Sequence, residues 1–206
     1  MHIRIRRFLG LGAVLTFSTV VLFTTFASTA SGSAQHVRWD IVSVSPIPIA
    51  PPVTFNPGGV ATAQTPEGVT ITITGSGTFV APSSGGGSNA VTGGGTWSIS
   101  GGGSGTYKVT GLVAWEFGSQ QSLLIGGSPV IDNTGDTTER ANGTAVLRIE
   151  FSDGSSGVLT VGCHGPGAPP GIFEGIATTK GFTTFYNVPV PPAAANTGRT
   201  LFHVRS

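Results

Sequence analysis

Few side chains in this chain of 206 residues could do chemistry, and the most unusual stretch is Val161-Gly162-Cys163-His164-Gly165-Pro166-Gly167. It holds the single Cys and one of three histidines beyond residue 34. A thiolate at Cys163 would be a nucleophile, and an imidazole at His164 a general base. Successive strand residues point to opposite faces, so the two share one reaction only if the Gly-Pro-Gly loop already begins at Cys163. The alternative is a buried thiol at a strand end, with the imidazole hydrogen-bonded in the following loop. An odd Cys outside the cell can also pair between chains.

Carboxylates are scarce. Glu116, Glu150 and Glu174 fall in β-patterned segments, and two of them together would suit glycoside hydrolysis. No spacing brings two together, and Glu150 shares a face with Arg148, which predicts an exposed ion pair. Asp132, Asn133, Asp136 and Glu139 crowd one loop. That loop fails as an EF-hand, with Thr137 where the Gly belongs and Gly143 where the Glu belongs, so it reads as a solvated turn. Glu174 stands between Ile172 and Ile176 on one strand face. It is either paired internally or looks into a polar cavity. The catalytic candidates are therefore His164, Glu174 and Cys163; no metal site and no cofactor motif is expected. Asn142-Gly143-Thr144 fits a glycosylation sequon.

A second constellation is aromatic. The pattern Gly-x-Gly-Thr-aromatic occurs at Gly75–Phe79, Gly93–Trp97 and Gly103–Tyr107. Each copy reads as a loop entering a strand, with the aromatic entering the core. In the alternative reading Phe79, Trp97, Tyr107 and the nearby Trp115 line a ligand cavity. If a site exists, the place to look is between His164, Glu174, Trp97 and Trp115. A GxG before a strand is no phosphate loop.

The elements that must position these residues are strands, because period-two alternation recurs and no helical apolar period of useful length does. Val69, Ile71, Ile73 and Phe79 share a face over 69–80. Tyr107, Val109, Val113, Trp115 and Phe117 share one over 106–117. Ala145, Leu147, Ile149 and Phe151 lead into Ser152-Asp153-Gly154-Ser155, and Val158–Val161 returns as the second arm of a hairpin. Shorter candidates are Val37–Val44, Thr96–Ser100, Ser122–Ile125, Gly171–Thr178, Phe182–Tyr186 and Thr200–Val204. The fold class is all-β, a single antiparallel β-barrel of about 8–10 strands with Gly-rich loops; the alternative is a β-sandwich. Long strands interrupted by Gly75, Gly77 and Gly111 favour the barrel. Pro46–Pro52 and Val188–Pro192 read as extended connections across the domain.

Composition sets the boundaries of function. Only 9% of residues are charged, against about 25% in ordinary domains. Removing Arg4, Arg6 and Arg7 leaves seven basic against nine acidic side chains, a balance of −2, which excludes a nucleic-acid footprint. His2–Arg7 is basic and Phe8–Ala27 is apolar, followed by small residues up to Ala34. Residues 1–34 thus read as a secretory signal peptide, with a retained anchor as the alternative, and 35–206 as one extracytoplasmic β domain.

WDIVSV at Trp39–Val44, GSGTFVAP, VTGGGTW, GSGTYKVTGLVAWE, AVLRIEFSDG, VGCHGPG, FEGI, TKGF and LFHVR together resemble a group of small exported bacterial proteins without an assigned activity. The likeness covers nearly all of residues 37–205 and implies a bacterial source and export, but no chemistry. More loosely, the glycine-aromatic strands look like the dirigent and allene oxide cyclase barrels in architecture alone. Three functions remain in competition. The first is a non-catalytic module for a small hydrophobic ligand or a cell-envelope component. The second is a barrel enzyme of isomerase or cyclase type acting on a small hydrophobic molecule, and the third is a structural or adhesive surface domain. Membrane contact is expected only through an uncleaved N-terminus.

Overall fold

The computed structural model describes residues 33–189 and 197–205. The N-terminal segment read as signal or anchor, and the end of the second Pro-rich connection, lie outside them. The strands are β1 Gln35–Ser45, β2 Thr54–Asn56, β3 Ala61–Gln64, β4 Thr70–Ile73, β5 Ser76–Ala81, β6 Val91–Ile99, β7 Ser104–Gln120, β8 Leu124–Ile125, β9 Ser128–Pro129, β10 Ile131–Asp132, β11 Arg140–Phe151, β12 Ser156–Cys163, β13 Gly175–Lys180, β14 Thr183–Asn187 and β15 Arg199–Arg205. One 3-10 turn, Thr137–Glu139, is the sole helical element among the described residues. The protein is all-β and mostly antiparallel, with a parallel pairing of β10 on β2.

Fifteen strands replace the expected eight to ten. The apolar run over 69–80 is divided at Thr74-Gly75, yet its register on β6 is unbroken from Ile71↔Ile99 to Phe79↔Val91. The far edge is what divides, with β3 along β4 and β1 along β5. A second fork lies on β11, where β12 takes Gly143–Glu150 and β15 takes Arg140 and Ala141. The remaining extra strands, β2, β3, β9 and β10, are two to four residues long, too short for alternation to show. The path of pairings runs β1–β15–β11–β12–β13–β14–β3–β4–β6–β5 and returns to β1, with β7 joining β6 to β11.

Glycine-rich stretches mark where backbones nearly touch. A Cβ on Gly95 would lie 1.9 Å from the Thr74 carbonyl oxygen, and one on Gly77 would meet the Thr92 oxygen and the Trp39 ring. The threonines beside them pair hydroxyls across strands, Thr78 with Thr92 at 2.8 Å and Thr74 with Thr96 at 2.7 Å. The aromatics of the repeat enter one continuous core with Trp39, Phe185 and Phe202.

Alternation along β7 predicts that Val113 and Phe117 are buried. Against β11 the strand carries extra residues at Thr110, Val113 and Gly118, and each such bulge resets which face the next residue takes. Leu112 is consequently buried, Val113 is only partly covered, and Phe117 is 44% exposed. The β11–β12 hairpin is present as expected, with Ala145, Leu147, Ile149 and Phe151 all buried.

Two charge readings change. Glu150 pairs with Lys108 across the sheet at 2.7 Å, not with Arg148. Asp132 does not belong to a solvated turn: its side chain is fully buried, with His203 Nε2 at 3.1 Å and Arg140 Nε at 3.7 Å. Burial alone would raise the Asp132 pKa, but hydrogen bonds from His203 and from the Thr134 hydroxyl and amide outweigh it and bring it down to about 2. Asp136 caps the 3-10 turn through the Thr138 amide and hydroxyl, and Glu139 pairs with Arg205. No group of metal ligands occurs among the described residues. The sequon Asn142 is fully buried.

Candidate functional site

The site lies at the β11 fork. β12 ends opposite β11 at Cys163↔Gly143, and β13 begins opposite β12 at Gly175↔Gly162. That antiparallel register places Glu174, one residue before β13, beside Cys163 and His164. The start of β15 comes to the same place: the Thr200 hydroxyl donates to the Gly162 carbonyl, and the Cys163 thiol donates to the Thr200 carbonyl at 3.2 Å. The nine residues of loop between His164 and Glu174 are drawn back by Asn142, whose Oδ1 accepts from the Gly165 amide at 2.7 Å.

Between these strand ends opens a cavity of about 360 Å³. The apolar part of its wall is made by Val44 of β1, Ile49 of the Pro-rich connection and Val53 just after it, Phe55 of β2, Ile125 of β8 and Leu201 of β15. The polar part carries Gln121, Cys163, His164, Glu174, Arg199 and Thr200. All three catalytic candidates read from the sequence therefore meet around one space.

Glu174 is the electrostatic centre of that wall. Its Oε2 accepts from the His164 amide at 2.6 Å and its Oε1 from the Thr200 amide at 3.0 Å. Burial drives its pKa up, and those two amides, with the charges of Arg199 and His164, offset only part of the rise, leaving it at about 7. The carboxyl is thus poised to hold or release a proton near neutrality. His164 is exposed, and its Nδ1 lies 2.7 Å from the Ile172 carbonyl, which fixes the ring over the loop.

Cys163 differs in kind. It is 1% exposed, receives a hydrogen bond from the Gln121 amide at 3.1 Å, and burial pushes its pKa well above the ordinary value. A thiol held protonated in this way lacks the thiolate that nucleophilic attack requires. Behind Gln121 stands Arg140, fully buried, donating to the Gln121 side-chain oxygen and stacked 4.7 Å from the centre of the Phe55 ring. Phe55 therefore separates the cavity from the Arg140–Asp132–His203 cluster.

The aromatics of the glycine repeat lie elsewhere. Trp97 and Tyr107 pack on Phe151 at 5.6 and 6.3 Å between ring centres, and Phe79 and Trp115 pack on each other at 5.5 Å. Trp115 also meets Phe202 at 4.7 Å. None of the four lines the cavity that holds His164 and Glu174. Of the remaining carboxylates, Glu116 is exposed on β7, and Glu150 is spent on Lys108.

Sequence reasoning missed Gln121, Arg199 and Thr200. Gln121 follows a 17-residue strand without any local motif. Arg199 and Thr200 reach the site only because the C-terminal strand folds back to the β11 fork, and no spacing within the chain announces that. The site thus defined is a small-molecule-sized cavity with a mixed apolar and polar lining, at a strand fork of an all-β protein. No protein-family model, curated protein or solved structure matches the chain.

Proposed function

We propose that the protein is an exported β-barrel that binds a small, largely apolar ligand in the cavity at the β11 fork, without transforming it. The barrel reading is supported by the circuit of antiparallel pairings that returns to β1. The observation that carries the binding reading is the cavity itself: about 360 Å³, lined by six apolar side chains together with a set of polar ones. Ligand sites are of this size and build, mostly apolar with a few placed polar groups. The N-terminal basic and apolar run supports export, and the segment resemblance supports a bacterial envelope setting.

The test is a blocked cavity. Native mass spectrometry of the protein purified without detergent should show a bound mass, and Ile49→Trp, which fills the apolar wall from a half-buried position, should lose it. A ligand at 100 times its Kd should stabilise the wild type by about 2.7 kcal/mol and the variant not at all. An empty wild type that 1-octanol also fails to stabilise would overturn the reading.

One observation favours a second reading, an isomerase that moves a proton within a small hydrophobic substrate. Glu174 titrates at about 7 beside the bound molecule's position, as a general base working near neutrality must. In that case the carboxylate takes a proton from one carbon and returns it to another, leaving atoms and charge unchanged. Recovery of an altered compound after incubation with the wild type, and of an unaltered one after incubation with Glu174→Gln, would select this reading.

A further inference from the structure

Between β1 and β2 the chain runs through Pro46-Ile47-Pro48-Ile49-Ala50-Pro51-Pro52. This strap leaves and rejoins the sheet at residues that line the cavity, Val44 before it and Val53 and Phe55 after it. Its ends are clamped together, because Ser45 pairs with Thr54 and Val44 with Phe55. Between the clamps, residues 46–52 make no hydrogen bond to any other described residue. Four of the seven are proline and have no N–H to give, so the strap does not zip onto a sheet edge, and the fixed proline φ keeps it stiff. Six of the seven are exposed, and Ile49 alone is half-buried and lines the cavity. Building on the ligand-binding reading above, we propose that this strap is the gate of the cavity, lifting as one stiff piece about its clamped ends so that Ile49 leaves the lining and a ligand passes.

The rest of the described lining is tied down. Val44, Phe55 and Leu201 sit in paired strands, and Ile125 is held by the β8–β9 ladder. Gln121 is bonded to Arg140 and to the Ala141 carbonyl. Asn142 holds the Gly165 amide and the Pro166 carbonyl, and Glu174 holds the His164 amide. Moving any of these breaks hydrogen bonds, whereas lifting the strap breaks none. What the strap gives up is apolar contact: Ile49 in the cavity, and Pro51 against the β8–β9 turn at Gly126. Entry and exit of a ligand both wait for such a lid. Ile49→Ala takes three carbons from the half-buried plug and should make opening about tenfold more frequent. Association and dissociation should then rise together. Loss of a ligand contact alone would speed dissociation and leave association unchanged.

Stopped-flow mixing with 1-aminoanthracene, whose emission rises when it leaves water, reads association, and its displacement by excess 1-octanol reads dissociation. Both rates should be about tenfold higher in Ile49→Ala, and both unchanged in Ile47→Ala, which trims an exposed side chain of the same strap. Tryptophan emission recorded before the probe is added reports that each variant is folded. A lock gives the converse test. A Cβ on Gly126 would stand 4.0 Å from the Pro51 Cβ, inside the range of about 3.5–4.5 Å that a disulfide spans. Once oxidised, the double variant Pro51→Cys/Gly126→Cys should exchange the probe at least about a hundredfold more slowly, and reduction should restore the rate. Position 126 has φ +58°, and the reduced form carries the same strain there, so it serves as the control. Faster dissociation without faster association in Ile49→Ala would overturn the gate, as would an oxidised double variant that exchanges as fast as its reduced form. Both results would leave the binding cavity standing. Failure of 1-aminoanthracene and 1-octanol alike to bind the wild type would overturn the ligand-binding reading and the gate with it.

Discussion

Replacing Glu174 with Gln should flatten one defined stretch of the pH–stability profile. The carboxyl titrates at about 7 in the folded chain and at 4.5 when unfolded. Between those values the folded state keeps a proton that the unfolded state has released, so stability falls as pH rises, and above 7 the loss is complete. At about 1.4 kcal/mol per pH unit the gap comes to about 3 kcal/mol, and the half-buried side chain trims this to about 2–3 kcal/mol. The glutamine is neutral throughout and carries none of it. The assay is urea unfolding followed by tryptophan emission from pH 4.5 to 7.5, with Trp39, Trp97 and Trp115 reporting the core. The wild type minus Glu174→Gln difference should fall across that window and be level above it. Asp132 stays out of the way, since its effect lies at lower pH. Parallel profiles for the two proteins would refute the assignment of a raised pKa to burial at this site.

Other outcomes follow from the same structure. Asp132→Ala should cost about 3–5 kcal/mol in urea unfolding, because it strands the buried Arg140 charge. Asp132 itself adds stability that is fully present above its unfolded pKa of 3.8 and is lost as pH falls towards about 2, so acid unfolding should steepen below pH 4. Gly95→Ala should destabilise by about 1–3 kcal/mol or more, since its Cβ meets the Thr74 carbonyl, which a shift of the β4–β6 pairing must relieve. Cys163 should resist a thiol-specific disulfide reagent in the native protein and react at once in urea, as a 1% exposed, protonated thiol requires. Phe182→Ser, at a fully exposed hairpin tip, should change unfolding free energy by less than about 0.5 kcal/mol.

What the sequence made legible was local. The β11–β12 hairpin followed from Ala145, Leu147, Ile149 and Phe151 in alternation and from Asp153-Gly154 at its turn. The shared face over 71–79 followed from Ile71, Ile73 and Phe79, though not its pairing with β6. The phase of β7 did not, because three bulges are set by the partner strand and leave no mark in the residues around Val113 and Phe117. The site divides in the same way. Cys163, His164 and Glu174 are close in sequence and were singled out together, and an antiparallel register brings them to one wall. Arg199 and the burial of Asp132 depend on where the last strand lands, which is a long-range fact. The repeat glycines drew attention for their aromatics, whereas the backbone contacts at Gly77 and Gly95 explain them.

The pairing of β1 with β15 sets His36 against Arg205, the two ends of the described sheet. A chain made from its N-terminus therefore holds its first strand with one edge waiting until the last strand exists. The same strand carries Arg199 and Thr200 to the cavity, so the pairing of β1 with β15 and the assembly of the site are one event. Contacts of such sequence separation form late and slowly. Until β15 has been made, that edge of β1 and the cavity lining both stay incomplete, and a truncation that removes β15 takes the pairing and the site away together.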